Sequence, residues 1–378
     1  MMKRIIILGS TGSIGRATLK VVKENPDKFE VIGLSARKNT SLLNKQIEEF
    51  RPSYVSILDK GKAKALRINK GLKILAGEEG LEEISKKKCD ILVLGVPGLS
   101  ALKPLFSCLG RAKKVLLANK EAIISAGEIV KERAKNENTE LFPVDSEAWA
   151  VFNLLKKEER EDILSVYLTA SGGPFWDKPK EIIKNVKAEE AIRHPVWKMG
   201  KKISVDSATL MNKGFEVIEI KRLFNIDSEN IKILIHPQSV VHAFLEKRDK
   251  SLISCMFYPD MRIPISSGLG IDNFSLKGKK LLLDKIKGLE FFLPDYKKFP
   301  LLNLAYFVAN KEKSFPTVLV SADEEVVDFY LKEKVSFSDI PKIIERVIAK
   351  HKPGEITSLE DVYYWEAWAK EKVKELVF

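Results

Sequence analysis

The chain has 378 residues, more than one hydrophobic core usually serves, so two or three domains are expected. Hydrophobic residues make up 45%, enough for real cores, yet no apolar run approaches the ~20 residues of a membrane span, and no membrane partner is expected. A net charge of +12 invites a nucleic-acid partner, but the 64 Lys and Arg are interleaved with 52 acidic residues and no basic stripe carries stacking aromatics, so none is expected.

From residue 3 to 145, short β-prone runs at 4–8, 30–35, 54–58, 90–96, 115–118 and 141–144 alternate with helical patterns, which predicts a parallel α/β sheet. The apolar start 5–8 runs straight into glycines, so it reads as a first strand rather than a secretory or transit segment. Cys89, Cys108 and Cys255 are odd in number and scattered without metal spacing, so reduced thiols and a cytoplasmic location are expected.

Gly9-Ser-Thr-Gly12-Ser-Ile-Gly15 follows the first strand and precedes a helical run, where backbone N–H groups at a helix start cradle a pyrophosphate. Its spacing is a variant of the usual dinucleotide fingerprint. The end of the second strand selects the cofactor: NAD binders place a carboxylate there, whereas NADP binders use cations for the 2′-phosphate. Here Ala36-Arg37-Lys38-Asn39 offers two cations and no acid, which predicts NADP(H). Two further strand-end loops, 95–98 and 118–121, point to the same crevice.

Asp145-Ser146-Glu147 follows the last of these strands. On extended backbone both carboxylates face one way and, with Glu216, make an all-oxygen site suited to Mg²⁺ or Mn²⁺ (Co²⁺ being a further option) rather than zinc. After a buried strand at 163–170, Ser171-Gly-Gly-Pro-Phe175 offers backbone amides and a hydroxyl to an oxyanion. His194-Pro-Val-Trp197-Lys-Met199-Gly200 reads as a lid loop that closes on substrate. In Ser204-Val-Asp-Ser-Ala-Thr-Leu-Met-Asn-Lys-Gly-Phe-Glu216, a helix starting near Ser207 would bring Ser207, Asn212 and Lys213 to a phosphate and Glu216 to the metal one turn on.

Beyond it, 231–235 reads as a buried strand and 240–246 with 252–258 as a hairpin. His236 could contact the site or serve only as a structural hydrogen-bonding group, and His351 is expected to be exposed and idle. Residues 266–292 read as a connector. From 300 onward the periods are helical, with loops marked by Pro316, Pro341 and Pro353-Gly354, and an amphipathic segment carries Trp365 and Trp368 as core packing.

The motifs at 9–15, 117–121, 144–147, 171–175, 194–200, 204–216 and 236–239 occur in the order, and near the spacing, of the 1-deoxy-D-xylulose 5-phosphate reductoisomerase family, and the chain resembles that family over essentially its whole length. The resemblance implies an α/β protein with a Rossmann-like NADP-binding domain (1–145) and a central α+β catalytic domain (146–265) bearing the metal and substrate site and the lid. A connector (266–292) and a C-terminal helical bundle (293–378) follow, and a V-shaped homodimer is implied. It implies that Asp145, Glu147 and Glu216 ligate the dication. Lys120, Ser146, Glu147, Ser171, His194, Trp197, Ser207, Asn212, Lys213 and Glu216 would meet a small phosphorylated sugar. Gly9, Thr11, Gly12, Ser13, Ile14, Arg37, Lys38, Asn39, Asn119, Glu121, Met199 and Gly200 would line NADPH, Arg37 standing where family members often carry Gly.

The family's reaction rearranges the sugar phosphate to an aldehyde and reduces it with NADPH. Lys120, Glu147 and His194 are the catalytic candidates, the base being left open between Glu147, Lys120 and a metal-bound water. A semialdehyde-type dehydrogenase is the competing enzyme class, but it needs a nucleophilic Cys beside a base, and none of the three sits in such a context.

Overall fold

The computed structural model describes residues 1–67, 70–197, 199–271, 273–276 and 281–378. Lys198 of the expected lid, and residues 272 and 277–280 of the expected connector, lie outside the described residues. The chain divides into two compact units, the first comprising 1–122, 130–145 and 260–277, the second 123–129, 146–259 and 278–378.

The first unit is built from β1 (Lys3–Leu8), α1 (Ser13–Lys23), β2 (Phe29–Ala36), α2 (Thr40–Phe50), β3 (Tyr54–Ile57), β4 (Lys73–Ala76), α3 (Gly77–Ser85), β5 (Cys89–Leu94), α4 (Leu102–Cys108), β6 (Ala112–Leu117), the ends of α5 (Lys120–Asn136), and β7 (Glu140–Pro143). Every strand pairing is parallel, in the order β4-β3-β2-β1-β5-β6-β7. Parallel strands covered on both faces must be apolar throughout, which is why Ile5, Ile6, Ile7 and Leu8 in the middle of the sheet are fully buried. The chain order reverses between β1 and β5. At such a switch point the loops leaving the two strands part and open a crevice beyond the strand ends. Strand β4 is absent from the sequence expectations: its apolar residues Ile74, Leu75 and Ala76, half-exposed at the sheet edge, are too short a run to announce a strand.

The second unit contains α6 (Ser146–Leu155), β8 (Ile163–Ala170), α7 (Lys180–Ile183), α8 (Ala188–Ala191), α9 (Lys201–Ala208), α10 (Met211–Phe224), β9 (Ile231–Ile235), β10 (Val241–Lys247) and β11 (Leu252–Met256). The chain then returns to the first unit as α11 (Arg262–Leu269), which packs on α1. The second unit closes with α12 (Leu301–Lys311), α13 (Phe315–Leu331), α14 (Asp339–Lys350) and α15 (Leu359–Val377). Its mixed sheet runs β11-β10-β8-β9, with β8 and β9 parallel and β10 antiparallel to both neighbours. Helix α10 is buried along most of its length, including the polar groups Lys213, Glu216 and Glu219. It meets α12 at Gly214, where a Cβ would come within 2.7 Å of the Ala305 Cβ.

Two expectations for the C-terminal helices are corrected. Pro316 and Pro341 sit in the first turns of α13 and α14 rather than in loops, because a first-turn residue has no helical partner for the N–H that proline lacks. His351 is not exposed and idle: it is 7% exposed, hydrogen-bonded through Nε2 to Ser314 Oγ at 2.8 Å, and packed against Phe315, Trp365 and Trp368. Helix α15 opens with a capping box between Ser358 and Asp361. Among the described residues no helix is long and apolar enough to cross a membrane.

Candidate active site

In the first unit the glycine loop occupies the switch point. Gly9 has φ +79°, and a Cβ there would lie 2.5 Å from the Gly95 carbonyl oxygen, so only glycine fits where the ends of β1 and β5 still lie side by side before their loops part. Ser10 is tied to α2 and to the end of β2: its hydroxyl donates to Gln46 Oε1 at 2.7 Å, Gln46 Nε2 on α2 donates back to Ser10 O at 3.0 Å, Ser10 N–H donates to Ser35 O at 2.7 Å, and Gly9 N–H donates to Ser35 Oγ at 2.9 Å. Helix α1 then starts at Ser13 from Gly12 without a side-chain cap, leaving first-turn N–H groups facing outward beside Thr11, Gly12, Ser13 and Ile14. Arg37 and Lys38 are exposed at the end of β2, and neither side chain has a hydrogen bond or ion pair among the described residues. Asn39 and Asn119 instead cap α2 and α5 through their side chains; Asn119 also donates to the Val96 and Gly98 carbonyls at 2.8 and 2.9 Å, holding the 95–98 loop. Glu121 is half-exposed in the first turn of α5. The two cations and the uncapped turn fit a nucleotide with an extra phosphate.

The carboxylates converge. Asp145, Glu147 and Glu216 each offer an oxygen, all within 4.8 Å of one another. The route differs from the expected one. Strand β7 ends at Pro143 and α6 starts at Ser146, so Glu147 is brought round by a strand-to-helix turn rather than by extended alternation. It sits in a first helical turn, where the macrodipole favours an anion. Ser146 Oγ donates to Glu147 Oε2 at 2.6 Å. Burial alone would raise the Glu147 carboxyl, but the Lys213 ammonium 3.7 Å away, the His242 Nδ1 contact at 3.3 Å and the Ser146 hydroxyl together hold it below the ordinary carboxylate range. Glu216, fully buried on α10, accepts from Asn212 Nδ2 at 2.6 Å and from the Lys213 ammonium. Lys120, the first residue of α5, lies 2.9 Å from Asp145 Oδ2. A donor set of carboxylate oxygens alone, two of its members partly open to solvent, fits a hard dication.

The expected helix start near Ser207 is also corrected. Ser207 lies near the C-terminal end of α9; the chain breaks at Leu210, φ +59°, and α10 begins at Met211. The i,i+4 relation of Asn212 and Glu216 survives because both fall inside α10. The 171–175 turn abuts this break: Gly173 has φ +67°, and a Cβ there would lie 2.6 Å from Ser207 O. Val196 and Trp197 N–H groups donate to His194 Nδ1 at 3.2 and 2.8 Å, so the ring proton sits on Nε2, which donates to Ser171 Oγ at 2.9 Å. Burial pushes His194 down to about 4, against the raising pull of Glu147, so it is neutral near pH 7. Ser171 Oγ also accepts from Gly173 N–H at 3.3 Å, which leaves the Ser171 hydroxyl hydrogen to donate elsewhere. Trp197 lies edge-on to His242, ring centroids 6.3 Å apart. Met199 is half-buried, and Gly200 is exposed at the start of α9.

His242 is the residue that sequence reasoning passed over. It stacks on Phe257 at 3.7 Å and reaches Glu147 from β10, 95 positions away in sequence, and no local pattern announces that contact. His236 has the structural role: it is fully buried, bonded through Nδ1 to Glu290 O at 2.8 Å and stacked on Phe291. Cys89 and Cys108 are buried with thiols pushed up to about 12 and further, and Cys255 is raised by burial, so none is a poised nucleophile.

Three family models match the chain: "1-deoxy-D-xylulose 5-phosphate reductoisomerase" over residues 5–127, its C-terminal domain over 141–224, and "DXP reductoisomerase C-terminal domain" over 256–372. Curated relatives of the same name include those of Caldanaerobacter subterraneus subsp. tengcongensis, 44% identical with 98% of each chain covered, and Thermodesulfovibrio yellowstonii, 42% identical with 99% of each covered. Among solved structures, the reductoisomerase from Zymomonas mobilis in complex with NADPH superposes with a TM-score of 0.91 at 33% identity. It covers 100% of this chain and 98% of the other. A DOX-P reductoisomerase in complex with NADPH, fosmidomycin and magnesium also gives 0.91, at 31% identity and the same coverage.

Proposed function

The chain belongs to the 1-deoxy-D-xylulose 5-phosphate reductoisomerase family, and from that premise we propose which of its residues carry each part of the activity. It is an NADPH- and divalent-metal-dependent oxidoreductase that isomerises and reduces 1-deoxy-D-xylulose 5-phosphate to 2-C-methyl-D-erythritol 4-phosphate in non-mevalonate isoprenoid biosynthesis. The convergence of Asp145, Glu147 and Glu216 carries the assignment of the metal site.

When bound, the dication supplies Lewis acidity to a chelating carbonyl and hydroxyl, and NADPH supplies the hydride. The protein does the rest. Asp145, Glu147 and Glu216 hold the ion; His242, Ser146 and Asn212 hold those carboxylates in orientation. Lys120, buried beside Asp145, reaches the substrate hydroxyls and keeps a proton donor at the reacting end. Ser171, whose hydroxyl hydrogen is left over, together with Ser207, Asn212 and Lys213, binds the phosphate. That remote binding energy orients the sugar. His194, neutral and donating through Nε2, fixes Ser171, and its Nδ1 bonds to the 196–197 N–H groups anchor the loop that brings Trp197 over the substrate and excludes water.

Gly9, Thr11, Gly12, Ser13 and Ile14 would hold the NADPH pyrophosphate and Arg37, Lys38 and Asn39 its 2′-phosphate, with Asn119, Glu121, Met199 and Gly200 lining the remainder of the cofactor site. The first unit, residues 1–122, 130–145 and 260–277, serves as the NADP-binding domain, and the second unit carries the catalytic and helical domains, so the segment expected as a connector at 266–292 begins inside the first unit. The enzyme works as a cytoplasmic homodimer without nucleic-acid or membrane partners. Apolar side chains left exposed on Leu252, Phe291, Phe292 and Leu293 support the dimer. The test is NADPH oxidation by the purified protein with deoxyxylulose phosphate, with and without chelator. Turnover is expected only with substrate and dication together, and activity that survives complete chelation would remove the carboxylate cluster from the chemistry.

A further inference from the structure

Lys213 stands where a dication has to draw its ligands. Its side chain is buried, donates to Glu216 Oε2 and lies 3.7 Å from Glu147 Oε1, so one ammonium faces two of the three clustered carboxylates. Lys120 meets the third, Asp145. An Mg²⁺-sized ion binds carboxylate oxygens at about 2.0–2.1 Å. It competes for the Glu216 and Glu147 oxygens with an ammonium of like charge already hydrogen-bonded to one and facing the other. Asn212 is placed differently. Its amide holds the other oxygen of Glu216, Oε1, at 2.6 Å, and so keeps the carboxylate aimed while Oε2 changes partner. An ammonium expelled from that pair remains rooted in the first turn of α10, close to the interior, where a lone cation is costly until an anion takes it.

We propose that Lys213 is the resident counter-ion of the carboxylate cluster, exchanged for the dication on loading, and that metal binding and capture of a substrate phosphate are coupled through it. This deepens the metal-site assignment made above and rests on it. Coupling of this kind is reciprocal: whatever the phosphate does to metal affinity, the metal does to phosphate affinity.

The experiment follows Mn²⁺ binding to the whole protein by electron paramagnetic resonance of the free ion, without deoxyxylulose phosphate, and with or without glycerol 3-phosphate as a phosphate monoester. In the unmodified protein the ester is expected to tighten Mn²⁺ about tenfold. Lys213→Gln is expected to bind Mn²⁺ about tenfold or more tightly than the unmodified protein when no ester is present, and to lose the response to ester. An unmodified protein whose Mn²⁺ affinity ignores the ester, or a folded Gln variant that binds Mn²⁺ no more tightly, overturns the exchange. Removing a buried cation can unfold the variant, and in that event the ester titration of the unmodified protein decides alone. Glu216→Gln separates the two levels. Persistent Mn²⁺ binding in that variant overturns the metal site itself, whereas failure confined to the ester and Lys213 arms leaves the site standing and removes only the coupling.

Discussion

Replacing Gly173 by Ala tests whether the glycine turn after β8 exists to let Ser171 approach α9. Gly173 has φ +67°, and a Cβ there would lie 2.6 Å from Ser207 O and 3.1 Å from Ala208 Cα, both backbone atoms. Left-handed backbone costs an alanine roughly 1 kcal/mol. Relieving the overlap means moving the turn by most of an ångström, since ordinary contact begins at 3.4 Å, and overpacking of that kind costs about 1–3 kcal/mol. The moved atoms include the Ser171 hydroxyl and its bond to His194, so most of the penalty should fall on the bound sugar phosphate. A misplacement near 1 Å costs about 100-fold in rate, so kcat/KM for deoxyxylulose phosphate is expected to fall ~10–100-fold. NADPH affinity, measured by its fluorescence on binding, should stay at the level of the unmodified protein. Gly288→Ala is the matched control, because nothing lies within 4 Å of its added Cβ. A folded Gly173→Ala enzyme with kcat/KM within about twofold of the original would refute the assignment of this turn to the substrate.

Two further outcomes are expected. Arg37→Asp combined with Lys38→Ala should raise the KM for NADPH about 100-fold or more while sparing NADH, since each of the two charge-assisted bonds to a phosphate is worth roughly 1.5–3 kcal/mol; unchanged cofactor preference in steady-state kinetics would contradict the 2′-phosphate role. His351 gives a pH signature. Burial lowers its pKa from 6.5 to about 4, so between those values the unfolded chain binds the extra proton and stability rises with pH. The contribution is fully present above pH 6.5 and is lost as the pH falls toward 4, amounting to roughly 2–3 kcal/mol. His351→Gln keeps a group able to bond Ser314 but does not titrate, so urea unfolding at pH 7 and pH 4.5 should show a smaller difference than in the unmodified protein. Equal differences would mean that His351 does not carry this dependence.

Much of the first unit was legible in advance because its signals are local. A buried parallel strand has to be an apolar run, and a pyrophosphate loop has to place glycines between strand and helix, so 4–8, 90–96 and Gly9 to Gly15 announce themselves. Strand β4 did not, since three apolar residues between Lys73 and Gly77 are too short a run to announce a strand. The break at Leu210 also escaped, because nothing in a non-glycine residue advertises φ +59°. Pro316 and Pro341 misled for a related reason. Proline marks a helix start as readily as a loop, and only backbone geometry distinguishes the two.

What the chain determined by itself is an inventory: which side chains can take a dication, a phosphate or a 2′-phosphate, and on which kinds of element they ride. Ligand chemistry is a property of the functional group, so Asp145, Glu147 and Glu216 announce hard oxygen donors wherever they fall. Only the tertiary structure decided their company. It set Lys213, already beside Glu216 on α10, against Glu147 as well, Lys120 against Asp145, and His242 rather than His236 against Glu147. Those pairings depend on burial and on approaches between segments far apart in the chain, where removing water makes an opposite charge or a hydrogen bond obligatory.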